Sequence, residues 1–244
     1  MCQRSDRTEL LYAGVEPAGV YRSSDSGKSW VELRAIYDLP TYKNWWFPPP
    51  PHIAHVTSFV MHPRDVKTIY AGVEVGGVIV SRDGGRTWEE LHNGLHDDIH
   101  WMAHGGGSSD FILYAATAAG FYRSDDGGAA WRRSGAGIDR RYAYCVARVA
   151  GVAERLVMCV SSDSDADDSV LFRSDDGGAH WAKAMDGLPS SAVDGRMKVA
   201  AHPERDGVCY VSLPDGIILQ SDDAGAHWRE AARGLPYVNS LSVV

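Results

Sequence analysis

The stretch Ser174-Asp175-Asp176-Gly177-Gly178-Ala179-His180-Trp181 is one of five copies of a single motif in this chain. All copies share the pattern Ser-x-Asp-x-Gly-x-x-Trp, and each follows a short apolar or aromatic run. The copies end at Trp30, Trp88, Trp131, Trp181 and Trp228. Self-similarity at a period of roughly 40–50 residues is typical of propellers, solenoids and arrays.

Each copy predicts a hairpin turn with a buried anchor. Ser and Asp side chains accept hydrogen bonds from the amides of a turn, and Gly permits a positive φ. The Trp then supplies a large apolar ring to the next strand. We therefore interpret the motif carboxylates as structural rather than functional. They are Asp25, Asp83, Asp126, Asp176 and Asp223.

The motif resembles the Asp-box, or BNR, repeat of sialidases and related β-propellers, and the resemblance covers nearly the whole chain. It implies an all-β propeller of four-stranded blades. In that family the boxes lie between the third and fourth strands of a blade, away from the active face. The stretches Phe47-Pro48-Pro49, Glu74–Val78 and Asp98–His100 also resemble segments of BNR-repeat proteins whose function is uncharacterised.

The strand pattern predicts one domain over residues 1–244 with five blades. Because the first blade lacks an inner strand at its own start, we expect residues 238–244 to supply it and close the ring. The alternative is a fragment of a six- or seven-bladed propeller. The predicted blades cover residues 9–33 plus 238–244, 53–91, 99–133, 142–184 and 195–231.

The formal net charge of −8 argues against nucleic acid or an anionic membrane surface as a partner. No apolar run reaches the roughly 20 residues of a membrane span. A small molecule, a carbohydrate or a protein remains as the partner.

The four cysteines show no metal-ligand spacing, and Cys159 and Cys209 lie in apolar runs that read as strands. We therefore expect buried free thiols. The first residues also lack the apolar segment of a signal peptide. Both observations favour a cytoplasmic location.

Aligning the inner strands brings polar side chains to one end of the predicted blades. His55, Glu74, His100 and Tyr142 are the candidate catalytic residues, since imidazole and carboxylate groups perform acid–base chemistry near neutral pH. Three of them, His55, Glu74 and His100, also form a candidate site for a divalent metal.

Further residues of the same end are candidates for ligand binding. The loop 34–52 contains a Trp-Trp-Phe run followed by four prolines, which predicts a stiff aromatic wall or lid. The candidate ligand-binding residues are Glu16, Trp45, Trp46, Tyr144, Arg196, Lys198 and Tyr237.

Three functions stay open. The first is binding of a small molecule, glycan or peptide at the axial mouth. The second is a hydrolase or lyase that uses acid–base or metal-assisted chemistry. The chain lacks the early Arg-Ile-Pro motif of sialidases, so a glycosidase-like or metal-assisted enzyme fits better than a true sialidase. The third is a protein assembly scaffold, since photosystem-assembly propellers belong to the same repeat class.

Overall fold

The computed structural model describes residues 2–4, 10–105, 111–151, 154–190 and 192–243, with the backbone alone for residues 2–4. The described residues form five antiparallel sheets of four strands each and two short 3-10 helices, Arg34–Asp38 and Tyr42–Asn44. The predicted all-β fold of four-stranded blades is confirmed.

Each sheet is built from four strands that follow one another in the chain. The first sheet contains β1 (Cys2–Arg4), β2 (Leu11–Val15), β3 (Gly19–Ser23) and β4 (Val31–Glu32), and the second contains β5 (Val56–Met61), β6 (Ile69–Val73), β7 (Gly77–Ser81) and β8 (Glu89–Leu91). The third contains β9 (Ile99–Gly105), β10 (Ile112–Thr117), β11 (Gly120–Ser124) and β12 (Arg132–Arg133), and the fourth contains β13 (Tyr142–Arg148), β14 (Leu156–Ser161), β15 (Val170–Ser174) and β16 (Ala182–Lys183). The fifth contains β17 (Lys198–Ala201), β18 (Cys209–Ser212), β19 (Ile218–Ser221) and β20 (Arg229–Ala232).

Several of the middle strands are buried on both faces. Every residue of β6, β7, β10 and β14 is buried, and these strands read as nearly unbroken apolar runs. The fourth strands are short and mostly exposed, as the all-exposed strand β20 illustrates. The core of each sheet therefore lies in its second and third strands.

The first sheet is completed differently from our expectation. The inner strand is β1, which pairs antiparallel with β2 through Cys2 opposite Ala13 and Arg4 opposite Leu11. Residues 238–243 form no strand. The physical reason is proximity in the chain, because a short connection costs less loop-closure entropy than a partner more than 200 residues away.

The chain divides into two compact units. The first unit comprises Met1–Met102 and Gly128–Trp131, and the second comprises Ala103–Gly127 and Arg132–Val244. Tyr12, Val20, Ile36, Phe59 and Ile79 belong to the core of the first unit. In the second unit Tyr114, Phe121, Leu156, Met158 and Phe172 are almost completely buried.

The cysteines of the second unit are buried and unpaired in disulfides. Cys145, Cys159 and Cys209 are free thiols. Burial raises the pKa of the Cys209 thiol to about 12, so this group is uncharged at neutral pH. In the described part of the chain, no helix is both long and apolar enough to cross a membrane.

The Asp-box turns carry a closed set of short-range hydrogen bonds. In the first box, the Ser23 hydroxyl donates to Asp25 Oδ1 at 2.8 Å and accepts from the Gly27 amide at 2.9 Å. Asp25 in turn accepts from the amide and the hydroxyl of Ser29. The Ser-to-Asp bond recurs in the boxes of Asp83, Asp126, Asp176 and Asp223. The carboxylates of the boxes thus hold their own turns together.

These bonds make the box of Asp83 sensitive to acid. Burial alone would raise the pKa of Asp83, but hydrogen bonds from Thr87 and Ser81 outweigh it and lower the pKa from 3.8 to about 2. A carboxyl group with a lowered folded-state pKa stabilises the fold above its unfolded-state pKa, and this stabilisation is lost as the pH falls through the folded-state value.

We therefore expect Asp83→Asn to unfold at a lower urea concentration than the parent at neutral pH. This difference should shrink as the pH falls from about 4 to about 2, because the parent carboxylate becomes protonated there. Urea titrations at a series of pH values measure the difference. A difference in urea midpoint between the parent and Asp83→Asn that stays constant down to the lowest pH would contradict the expectation.

Candidate functional site

Polar side chains of the first unit meet where several of its strands begin or end. His55 directly precedes β5 and Glu74 directly follows β6, and the Glu74 amide donates to the His55 carbonyl at 3.0 Å. The segment just before β9 is bonded to the start of β7, since the Gly77 amide donates to the Asp97 carbonyl at 2.7 Å. The Thr57 hydroxyl adds a bond to the Ile99 carbonyl at 2.9 Å. Backbone pairing therefore fixes where these side chains lie.

His55 and Glu74 form a close pair, as the sequence predicted by placing both in one cluster. The distance from His55 Nε2 to Glu74 Oε2 is 2.7 Å, and their side chains are 27% and 13% exposed. The other ring nitrogen, Nδ1, lies 3.6 Å from Oε2 of Glu16, whose side chain is half exposed. The hydrogen bond to Glu74 raises the pKa of His55 against the opposing effect of burial. This imidazole therefore carries a proton more readily than a free histidine.

Glu74 also belongs to a group of three that is suited to a metal ion. One ligand atom from each of Glu74, Asp98 and His100 lies within 4.8 Å of the others. His100 Nε2 is 3.4 Å from Asp98 Oδ1, and the two side chains are 7% and 19% exposed. Asp98 Oδ1 is buried and accepts no hydrogen bond from the described residues. Two carboxylates and an imidazole are ligands that zinc and other first-row divalent ions accept.

The group differs from the predicted metal set by one residue. The sequence interpretation combined His55, Glu74 and His100. The structure instead groups Asp98 with Glu74 and His100. His55 is not a member of this group, but it is bonded to the Glu74 carboxylate. The signal for Asp98 was present in the sequence. In an extended strand, residues two apart point to the same face, so the spacing Asp98-x-His100 already placed both on one side.

The aromatic loop 34–52 borders this cluster. The ring of Phe47 meets the His55 imidazole edge to face, with centroids 5.4 Å apart. Trp46 is 53% exposed and stacks on His52 at 4.6 Å. Trp45 is held differently, because it packs on the core, donates to the Thr41 hydroxyl and covers Gly76 so closely that an added Cβ would lie 2.9 Å from its ring. Phe47, rather than Trp45, therefore offers ring surface beside the polar cluster, and the exposed ring of Trp46 belongs to the adjacent residue of the loop.

The other candidate residues belong to the second unit. The Arg196 guanidinium lies 5.9 Å from the centre of the Tyr142 ring, and it donates to the Ser164 carbonyl at 3.1 Å. Lys198 is half-buried in β17, and Tyr237 is 50% exposed.

Tyr144 is placed unlike the other candidates. It is buried, its hydroxyl donates to the Ser169 hydroxyl at 2.6 Å, and it accepts from the Met197 amide. Burial is the main cause that raises its pKa. Because the Tyr144 hydroxyl both donates and accepts a hydrogen bond inside the protein, it is not placed to bind a ligand.

The chain matches the family model of the BNR/Asp-box repeat over residues 79–90, which contain the whole of the second Asp-box. Among curated protein sequences none matches the chain.

Solved structures of similar fold include enzymes and a peptide-bound protein. The GH74 enzyme of Niastella koreensis has a TM-score of 0.67 at 13% identity, over 91% of this chain and 36% of that one. The GH74 xyloglucanase of Xanthomonas campestris has a TM-score of 0.62 at 15% identity, over 92% and 36%. YCF48 bound to D1 peptide has a TM-score of 0.59 at 14% identity, over 92% and 65%. This chain therefore spans about a third of the GH74 enzymes, and the likeness establishes the fold alone.

Proposed function

We propose that this chain, a BNR/Asp-box repeat protein of β-propeller fold, binds a divalent cation and, next to it, a small oxygen-rich ligand of the carbohydrate class. The site is the cation cluster, which we define as Glu74, Asp98 and His100. The observation that carries the proposal is the convergence of three ligand atoms within 4.8 Å at a partly buried position.

The spacing of the cation cluster suits a tetrahedral ion. Two ligand atoms that each lie about 2.1 Å from such an ion are about 3.4 Å apart. The distance from His100 Nε2 to Asp98 Oδ1 is 3.4 Å. A cation between them would also satisfy Asp98 Oδ1, which is a buried acceptor. Leaving a buried charged acceptor unsatisfied costs free energy, so a bound ion stabilises this arrangement.

His55 supports the cation cluster as a positioning residue. It holds Oε2 of Glu74 at 2.7 Å and thereby fixes the orientation of this carboxylate. Outer partners of this kind orient metal ligands, and their loss typically costs 10–100-fold in metal affinity. Glu16 adds negative charge on the far side of the imidazole.

The carbohydrate class is supported by the neighbouring ring surface. Phe47 contacts His55, and the preceding residue of the loop, Trp46, is 53% exposed. Aromatic faces beside polar groups suit sugar rings, whose C–H faces are apolar and whose hydroxyls reach a cation or carboxylate. A xyloglucanase and a peptide-bound propeller among the similar folds make glycans and peptides the first ligands to screen.

The experiment is calorimetric titration of chelator-treated protein with Zn²⁺, Mn²⁺ or Ca²⁺, each alone. We expect one ion per chain for at least one of them. Asp98→Asn and His100→Gln should weaken binding by about 100-fold or more, since each removes a direct ligand, and His55→Gln should weaken it by about 10-fold. His180→Ala is the matched control, because the His180 side chain is 80% exposed and its imidazole is bonded to Asp176 of its own Asp-box.

Equal affinities in the parent, Asp98→Asn and His100→Gln would contradict the cation cluster. Retained secondary structure in each variant, measured by circular dichroism, separates loss of the ligand from loss of the fold.

The second candidate function is metal-assisted hydrolysis. Three protein ligands leave a coordination position for water, and a bound zinc ion lowers the pKa of that water to about 7. The cation cluster has this number of ligands, and His55 lies beside it as an acid–base group. Hydrolysis of glycan or ester substrates that requires the added ion and is lost in Asp98→Asn would favour this function over binding alone.

A further inference from the structure

Two cysteines of the second unit face each other across a pair of strands. Cys145 of β13 lies directly opposite Cys159 of β14 in their antiparallel pairing. Residues that are directly opposite point to the same face of a sheet, so the two side chains lie on one side of it. Both cysteines are free and buried. The fourth sheet therefore holds two thiols side by side inside the protein.

The spacing of the two cysteines suits a disulfide with little change of the backbone. Directly opposite residues of an antiparallel pair have Cα atoms about 4.5–5.5 Å apart. Disulfides join cysteines whose Cα atoms are usually about 4.4–6.8 Å apart. The thiols are already in contact, because the Cys159 thiol is hydrogen-bonded to Cys145. A bond between the two sulfur atoms therefore needs mainly a rotation of the side chains.

The two thiols differ in how readily they lose a proton. Burial alone would raise the pKa of the Cys145 thiol, but the hydrogen bond from Cys159 and the positive charge of Lys198 help to outweigh it and lower the pKa. Burial is the main cause that raises the pKa of the Cys159 thiol, and its bond to Cys145 adds to this effect. Cys145 is therefore the thiolate of the pair, and Cys159 keeps its proton.

Burial limits which oxidant reaches the pair. Cys145 is 3% exposed and Cys159 is fully buried. A bulky reagent is therefore excluded while the protein is folded, whereas hydrogen peroxide is close to water in size. Local opening of the fold admits molecules of this size without global unfolding.

We propose that Cys145 and Cys159 form a redox-sensitive modification site, at which hydrogen peroxide produces a reversible disulfide. The Cys145 thiolate attacks one peroxide oxygen, the O–O bond breaks and hydroxide leaves, which gives a sulfenic acid on Cys145. The Cys159 sulfur then attacks the Cys145 sulfur, and the Cys159 proton leaves with the sulfenic oxygen as water. Two thiols lose two electrons in total, and one peroxide is reduced. A dithiol reductant returns these electrons and restores both thiols.

The test is oxidation of the folded protein with hydrogen peroxide, followed by alkylation of the remaining thiols in denaturant and digestion with trypsin. Cleavage after arginine places Cys145 and Cys159 on the separate peptides 142–148 and 156–173. We expect mass spectrometry to find these two peptides joined, and dithiothreitol to separate them. Two peptides that stay separate after prolonged exposure to peroxide would overturn the proposal.

Cys209 is the internal control for this experiment. It is fully buried like Cys159, but the residues directly opposite it are Ala201 and Ser221. We expect Cys209 to remain a free thiol under conditions that oxidise the pair completely. Oxidation of Cys209 as fast as that of the pair would also overturn the proposal, because peroxide would then act on buried thiols without regard to their pairing.

Variants test the role of each group in the pair. In Cys159→Ser the sulfenic acid has no partner thiol, so dimedone, a reagent for sulfenic acids, should label Cys145. Lys198 is a positioning residue, since its charge favours the Cys145 thiolate. Lys198→Met should slow disulfide formation by about 10-fold, because less of Cys145 is then ionised, and Lys198→Arg should restore the rate.

Lys183→Met is the matched control for Lys198→Met. It removes a positive charge from an exposed lysine of the sheet that holds the two cysteines. We expect Lys183→Met to form the disulfide at the rate of the parent. Equal rates in the two methionine variants would contradict the role of Lys198. Circular dichroism of each variant separates a change in thiol chemistry from a loss of the fold.

Discussion

Replacing Trp131 by alanine is expected to lower the free energy of unfolding by about 3–5 kcal/mol, the usual cost of truncating a large buried aromatic side chain. Trp131 is 6% exposed, and its amide is bonded to the Asn93 carbonyl. Its Nε1 is buried without a hydrogen-bond partner among the described residues, so the ring stabilises the fold by packing alone. Denaturant unfolding at equilibrium, with its slope checked for a constant value, measures the loss.

Trp30→Ala is the matched control for this substitution. It removes the same side chain from the same motif, but Trp30 is 38% exposed. We expect a loss of about 1 kcal/mol or less, as for partly exposed sites. Equal losses at the two positions would contradict the assignment of burial as the source of the stabilisation by Trp131.

The second large effect is expected at Gly187. An alanine there would place its Cβ 1.9 Å from the Trp228 carbonyl oxygen, at a φ of +89°. The left-handed backbone costs about 1–2 kcal/mol for a residue with a side chain, and overpacking adds typically 1–3 kcal/mol. We therefore expect Gly187→Ala to lose about 3 kcal/mol or more of unfolding free energy.

Gly234→Ala separates these two contributions. Gly234 has a φ of +76° and also follows the fourth strand of its sheet, but no atom of the described residues lies within 4 Å of an added Cβ. The substitution should therefore lower the free energy of unfolding only by the cost of the left-handed backbone conformation, about 1 kcal/mol. Unfolding midpoints of the two variants, measured side by side, give the difference. A Gly234→Ala variant as unstable as Gly187→Ala would show that loop 233–235 is packed, and the difference we expect would be absent.

The fold was predictable because its determinants are local. The turn of each Asp-box is held by Ser, Asp and Gly within a few residues, so the motif specified both the turn and the strands on its two sides. Our prediction of the inner strand of the first sheet was wrong, because the identity of this strand depends on which distant or nearby segment pairs with β2. Nothing in a single strand pattern ranks two candidate partners.

The candidate site was predictable in part. The sequence placed His55 and Glu74 in one cluster without indicating that they pair, and Asp98 was missed although its spacing from His100 indicated it. Tyr144 and Trp45 show the limit of such reasoning. The polar tip of a tyrosine and the ring of a tryptophan look available in sequence, but local packing decides whether they face a ligand or the core.

The place of β1 has a consequence for synthesis on the ribosome. Because Cys2–Arg4 precedes β2 in the chain, the first sheet has all four of its strands once β4 has emerged. Had a segment from the far end been required, that sheet would have kept an unpaired edge throughout translation, a known route to aggregation. Each later sheet also consists of consecutive strands, so its completion follows its own emergence. The chain is thereby suited to folding in the order in which it is made.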